Sequence, residues 1–125
     1  MTTPTAVTGQ PRPRVVLVGP PGAGKSTLGR RLSHALSCEF TDSDHLIEQA
    51  QAKPCGEVFS ELGEQDFRAL EAQHVAAALR TDGVVSLGGG AVLTESTRDL
   101  LERHTVIFLD ISLSLIHISE PTRRT

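Results

Sequence analysis

Nine consecutive residues, Gly19-Pro20-Pro21-Gly22-Ala23-Gly24-Lys25-Ser26-Thr27, constrain this chain more than any other feature. They fit the pattern G-x-x-x-x-G-K-[S/T] without a mismatch. The apolar run Val15-Val16-Leu17-Val18 precedes them and a helical pattern follows. That order of strand, glycine loop and helix is the context in which the pattern cradles phosphate. The chain has two lysines, Lys25 and Lys53, and one falls where the pattern requires it. The backbone N–H groups of Gly22, Ala23, Gly24, Lys25, Ser26 and Thr27 are expected to face the phosphates of a nucleotide. Lys25 would neutralise the outer phosphates, and the Ser26 hydroxyl would hold Mg²⁺. The competing reading is a flexible Gly-Pro turn between strand and helix.

Periodicity supplies the rest of the frame. Residues 14–18 read as a buried parallel strand. Leu28, Leu32, Ala35 and Leu36 share one face of a helix over 25–37. A brief strand at 38–41 leads into Asp42-Ser43-Asp44 and a helix carrying Leu46, Ile47 and Ala50. Lys53-Pro54-Cys55-Gly56 breaks that helix. A short helix holds Val58, Phe59 and Leu62, with Gly63 at its end. Residues 64–80 form a long helix with Phe67, Leu70, Val75, Ala78 and Leu79 near one face. A third strand at 84–87 runs into Gly88-Gly89-Gly90, a helix covers 94–103, and a fourth strand covers 105–111. Alternating strands and helices predict an α/β fold, a parallel sheet with helices on both faces.

Ligands of such sheets bind beyond the carboxyl ends of the strands. The lysine loop, Asp42-Ser43-Asp44 and the triple glycine each follow a predicted strand, so parallel pairing brings them to one edge. Six of the eleven glycines lie in two of these motifs, where backbone must approach a ligand closely. Asp42 and Asp44, two residues apart, would point to one side of an extended segment. One acid would hold the metal and the other would orient or deprotonate an acceptor hydroxyl. A helix cap made by Ser43 or Asp44 explains the same residues more simply. Arg68 and Glu71, at i and i+3, read as an exposed ion pair, with Glu64 a second partner for Arg68. Arg68 also suits a planar carboxylate. Asp110, at the end of the fourth strand, competes with Asp42 as metal ligand.

Composition excludes some classes. A net charge of −3 gives no basic field for nucleic acid. No apolar stretch is long enough to cross a membrane. Cys38 and Cys55 are isolated, which fits a reducing cytoplasm and not a zinc site. A cytoplasmic monomer acting on a small molecule is expected.

The phosphate loop, Asp42-Ser43-Asp44, Glu64-Gln65-Asp66-Phe67-Arg68-Ala69-Leu70-Glu71 and Ser86-Leu87-Gly88-Gly89-Gly90-Ala91-Val92 together resemble shikimate kinases, in order and spacing. The resemblance covers about residues 14–111. It implies the P-loop nucleoside-monophosphate-kinase-like fold and ATP-dependent phosphorylation of the 3-hydroxyl of shikimate, with Mg²⁺. Lys25 and Asp44 would be catalytic. Arg68 would grip the shikimate carboxylate and Glu71 would order Arg68. Gly88, Gly89 and Gly90 would bring backbone donors to the ring, and Phe59 and Phe67 would line the pocket. Asp42 and Ser86 would support the metal shell beside Ser26.

The family pattern continues past this chain, so its lid and final strand are expected to be missing and turnover weak. Residues 1–13 read as a disordered lead-in, 14–111 as a partial kinase domain, and 112–125 as a tail foreign to it, resembling translated adapter sequence. Two other functions compete: a noncatalytic nucleotide-binding remnant, and another small-molecule kinase such as a gluconate kinase. Arg68 with Gly88 to Gly90 argues against the last.

Overall fold

Val15, Val16, Leu17 and Val18 are all nearly or fully buried because helices cover both faces of the strand that carries them. The computed structural model describes residues 12–20, 22–110 and 116–119. Their order is β1 (Pro13–Val18), α1 (Lys25–Leu36), β2 (Phe40–Asp42), α2 (Ser43–Gln51), α3 (Cys55–Leu62), α4 (Glu64–Ala78), β3 (Gly83–Ser86), a 3₁₀ turn (Ala91–Leu93), α5 (Glu95–Leu101), β4 (Val106–Leu109) and β5 (Ile116–Ser119). The sheet runs β2-β3-β1-β4-β5. The first four strands are parallel, and β5 pairs antiparallel with β4.

Successive residues of a strand point to opposite faces. Val15, Leu17 and Val84 therefore meet Leu28 and Leu32 of α1 on one side. Val16, Val18, Val85 and Leu87 meet Val75, Ala78 and Leu79 at the end of α4, with Leu101 of α5, on the other. A third cluster of Ile47, Val58 and Phe67 ties α2, α3 and α4 into a small helical lobe.

The predicted elements recur with ends moved by one or two residues, and the differences have physical causes. Ala35 and Leu36 do not complete the buried face of α1: both are exposed, and Gly29 and Ser33 are buried instead. Small residues let α1 lie close to the sheet. Within α3 only Val58 is buried, while Phe59 and Leu62 are partly exposed. The sequence pattern predicts no element past residue 111, yet β5 adds an antiparallel edge. Its Ile116-His117-Ile118 alternation is too short to identify a strand by period alone. The expected lead-in, and most of the tail over 112–125, lie outside the described residues.

Gly29 tests the close approach of α1. Alanine there improves helix propensity by about 1 kcal/mol. However, its Cβ would stand 2.2 Å from Cε1 of Phe40. Overpacking of this kind costs about 1–3 kcal/mol. Gly29→Ala is therefore expected to lower stability in urea unfolding, and Phe40→Leu in the same background to recover part of the loss.

Candidate active site

The cleft is built at the carboxyl ends of β1, β3 and β2. Leu17 pairs with Ser86, and Ser86 pairs with Asp42, so three strands end in one register. The loop after β1 turns through Gly22 at φ 85° and Gly24 at φ 90°, conformations that disfavour any side chain. Gly24 caps α1 without a side-chain hydrogen bond, and the first turn carries no acid. The N–H groups of Lys25, Ser26 and Thr27 have no intrahelical partner there, and the positive end of the helix is uncompensated. Ala23 differs from its neighbours: its N–H donates to the Pro20 carbonyl at 3.2 Å and closes the turn. Lys25 Nζ folds back to donate to the carbonyls of Gly19 (2.6 Å) and Pro20 (3.1 Å). An ammonium has three donors, so one remains for an incoming anion.

A cleft of about 310 Å³ opens over this loop, lined by Gly22, Gly24, Lys25, Ser26 and Thr27 and, across from them, Asp42, Asp44, Leu87 and Gly88. Asp42 and Asp44 do share one side, but not through an extended segment. Asp42 ends β2, and Asp44 sits in the first turn of α2. The cap and the cleft coexist: Asp42 Oδ1 accepts from the Asp44 N–H at 2.9 Å, which frees the Asp44 carboxylate to face the cleft. The cap is thus Asp42, not Ser43 or Asp44. Asp110 follows β4, on the other side of β1 from Asp42.

The glycine segment receives two charged groups. A Cβ on Gly88 would stand 2.3 Å from Asp44 Oδ1, and a Cβ on Gly90 would stand 2.6 Å from both Nη1 and Nη2 of Arg68. Only glycine permits either approach. Arg68 and Glu71 form an ion pair at 2.8 Å, but not an exposed one: the Glu71 side chain is 3% accessible. Glu71 lies on the buried stripe of α4, with Phe67, Val75 and Ala78. The rings of Phe59 and Phe67, 5.2 Å apart, sit 5.7 and 5.5 Å from the guanidinium carbon. Arg68 Nε is buried without a partner. A planar donor fork is thus fixed on two aromatic rings with one donor unsatisfied. Gly89 lies between, half-buried.

Some contributors carried no sequence signal. Glu48 Oε2 accepts from the Cys55 N–H at 2.9 Å and so caps α3 from α2. Cys55 Sγ donates to the Asp44 carbonyl at 3.4 Å. Burial, joined by the carboxylates of Asp44 and Glu48, pushes the thiol up to about 12, so it stays protonated. Among the described residues no cluster of three or more His, Cys, Asp or Glu could hold a metal. Ser26 and Asp42 line one cleft, and the Ser86 hydroxyl is buried without a partner. Such a sparse oxygen set fits Mg²⁺, which keeps several waters and takes phosphate oxygens, rather than an all-protein cage.

Burial lowers the pKa of Lys25, against the pull of Asp42 and Asp44. Burial likewise raises the pKa of Asp44, helped by Asp42 and Glu71 and opposed by Lys25. The folded chain therefore binds the Asp44 proton more tightly than the unfolded chain. Stability from this group is fully present below its ordinary value of 3.8 and is lost as pH rises through the higher folded value. Asp44→Asn is expected to raise Tm at pH 7, with the gain vanishing below about pH 4, as read by thermal melts across pH.

The shikimate kinase family model matches residues 21–119. The chain is 66% identical over 114 residues to a shikimate kinase of Corynebacterium efficiens, covering 91% of this chain and 64% of that protein. It is 62% identical over 113 residues to one of Corynebacterium glutamicum, covering 90% and 64%. The chain thus spans a little under two thirds of the length of these relatives. Among solved structures it resembles shikimate kinase from Bacteroides thetaiotaomicron, with a TM-score of 0.73 and 38% identity over 77% of this chain and 58% of that one. It also resembles shikimate kinase from Acinetobacter baumannii in complex with shikimate, with a TM-score of 0.72 and 36% identity over 85% and 60%. A gluconokinase from Sinorhizobium meliloti, 21% identical with a TM-score of 0.51, shares the fold alone. With its phosphate loop, acid pair and glycine-packed arginine on one sheet edge, the chain belongs to the shikimate kinase family.

Proposed function

We propose that this chain binds MgATP and shikimate and directs phosphoryl transfer to the shikimate 3-hydroxyl. One observation carries the reading: Asp44 and Arg68 both pack on the glycine segment, at Gly88 and Gly90, and Asp44 and Gly88 line the cleft that holds Lys25. A hydroxyl-binding acid and a carboxylate-binding fork are thereby set at two points of one wall. Phosphoryl transfer needs positioning and charge neutralisation more than covalent help.

Each group has a part. The N–H groups of Lys25, Ser26 and Thr27 receive phosphate oxygens at the positive end of α1. The free donor of Lys25 neutralises the outer phosphates. Ser26 and Asp42 hold Mg²⁺, with Ser86 beside Asp42 in the strand register. When bound, the ion offsets charge on the transferred group. Glu71 fixes Nη1 of Arg68, so its remaining donors face the shikimate carboxylate. Phe59 and Phe67 support the ring side of the pocket. Asp44, with its raised pKa, is a stronger base than an exposed aspartate and accepts the proton of the attacking hydroxyl. The same reading makes the protein a cytoplasmic monomer that engages neither nucleic acid nor membrane. In support, its net charge is −3, and no described helix is long and apolar enough to cross a membrane.

Calorimetric titration with shikimate in the presence of MgADP is expected to give saturable binding. Phosphorus NMR with ATP is expected to give phosphate ester on shikimate only. Ester on gluconate or on a nucleotide, with none on shikimate, would overturn the assignment. Arg68→Ala is expected to weaken shikimate binding by about 30-fold or more, the penalty for stranding a charge in a closed site, with MgADP binding unchanged. Asp44→Asn is expected to slow transfer by about 10²–10⁴-fold with little change in MgADP affinity.

A further inference from the structure

We propose that Ser43 is a positioning residue, whose buried hydroxyl holds the Gly88 peptide so that Asp44, the glycine segment and Arg68 keep one register. Ser43 is fully buried, and its Oγ accepts from the Gly88 N–H at 3.1 Å, across 45 residues of sequence. The need for this bond comes from the topology. The β2–β3 ladder runs only three rungs, Phe40–Val84, Thr41–Val85 and Asp42–Ser86. At Ser43 the chain turns into α2, so its backbone can no longer pair with β3. The serine side chain continues the ladder where the main chain leaves it. Gly88 is buried, and a buried N–H without a partner is costly.

The hydroxyl has no competing duty as the helix cap, because Asp42 Oδ1 already takes the Asp44 N–H. Gly88 is therefore gripped twice by consecutive residues. Ser43 holds its N–H, and the Asp44 carboxylate lies against its Cα. The Gly88 carbonyl accepts from the Ala91 N–H at 3.0 Å, and the Gly90 carbonyl from the Leu93 N–H at 3.0 Å. A shift of the Gly88 peptide thus moves the turn on which the Arg68 guanidinium rests. The phosphate loop contributes none of these bonds, so the clasp acts on the acceptor wall and not on the nucleotide side.

The consequence for shikimate rests on the functional reading above; the clasp itself does not. Both are measured on the full chain with Ser43→Ala and Ser43→Thr. By amide exchange, Ser43→Ala is expected to speed the Gly88 amide by about tenfold or more while the Val85 amide keeps its protection. By titration, shikimate affinity falls about tenfold and MgADP affinity is unchanged. Ser43→Thr, which retains the hydroxyl, restores both readouts. An unchanged Gly88 amide in Ser43→Ala overturns the proposal. So does a general loss of protection with shikimate and MgADP weakened alike, because that marks a merely structural serine. If the unsubstituted chain takes up no shikimate, the functional reading fails, and the Gly88 and Val85 amides alone decide the clasp.

Discussion

Parallel pairing of β2, β3 and β1 in one register is the constraint on which the site depends. The rung through Asp42, Ser86 and Leu17 sets three strand ends level. Each loop therefore leaves the sheet at the same height and on the same edge. With antiparallel neighbours the glycine segment after β3 would leave at the edge opposite the lysine loop and the acid pair. The apolar faces of β1 and β3, covered by α1 on one side and by α4 and α5 on the other, hold that register.

The site built on this edge is electrostatically costly for the chain. Burial disfavours the charge on both Lys25 and Asp44, and Asp42 adds repulsion at Asp44. Each is partly relieved by the other. Lys25 turns to two loop carbonyls, and Arg68 leans on Glu71 and two phenyl rings while its Nε stays unsatisfied. Groups held this way gain more from a charged ligand than well-solvated groups would, because little of their hydration remains to be removed. The glycines at 88 and 90 serve the same end, since they admit charged side chains into contact with backbone.

Local patterns made much of this legible. The apolar run at 15–18, the glycine-lysine loop and the period of α4 are short-range signals, and each led to the right element. The acid pair shares one side for a reason that spacing does not give: Asp44 reaches the cleft from the first turn of a helix, not from an extended strand. The Arg68–Glu71 spacing read equally well as a surface pair. The residues four before and four after it, Phe67 and Val75, put Glu71 on the buried stripe, a clue that charge spacing alone hides. The fifth strand and the exposed face of α3 escaped because short apolar runs do not say which side will be covered.

The sequence alone determined the strand–loop–helix that receives phosphate, the residue types at the sheet edge and the family they resemble. The first two depend on residues within a few positions of one another, and the resemblance on the order of such motifs along the chain. Tertiary structure decided that Asp44 meets Gly88, that Arg68 meets Gly90 and that Ser43 takes over the ladder from β2. These contacts join segments about 20 to 45 residues apart, and no local periodicity encodes them. They arise only when the packed faces of the sheet and the helical lobe fix where each backbone ends.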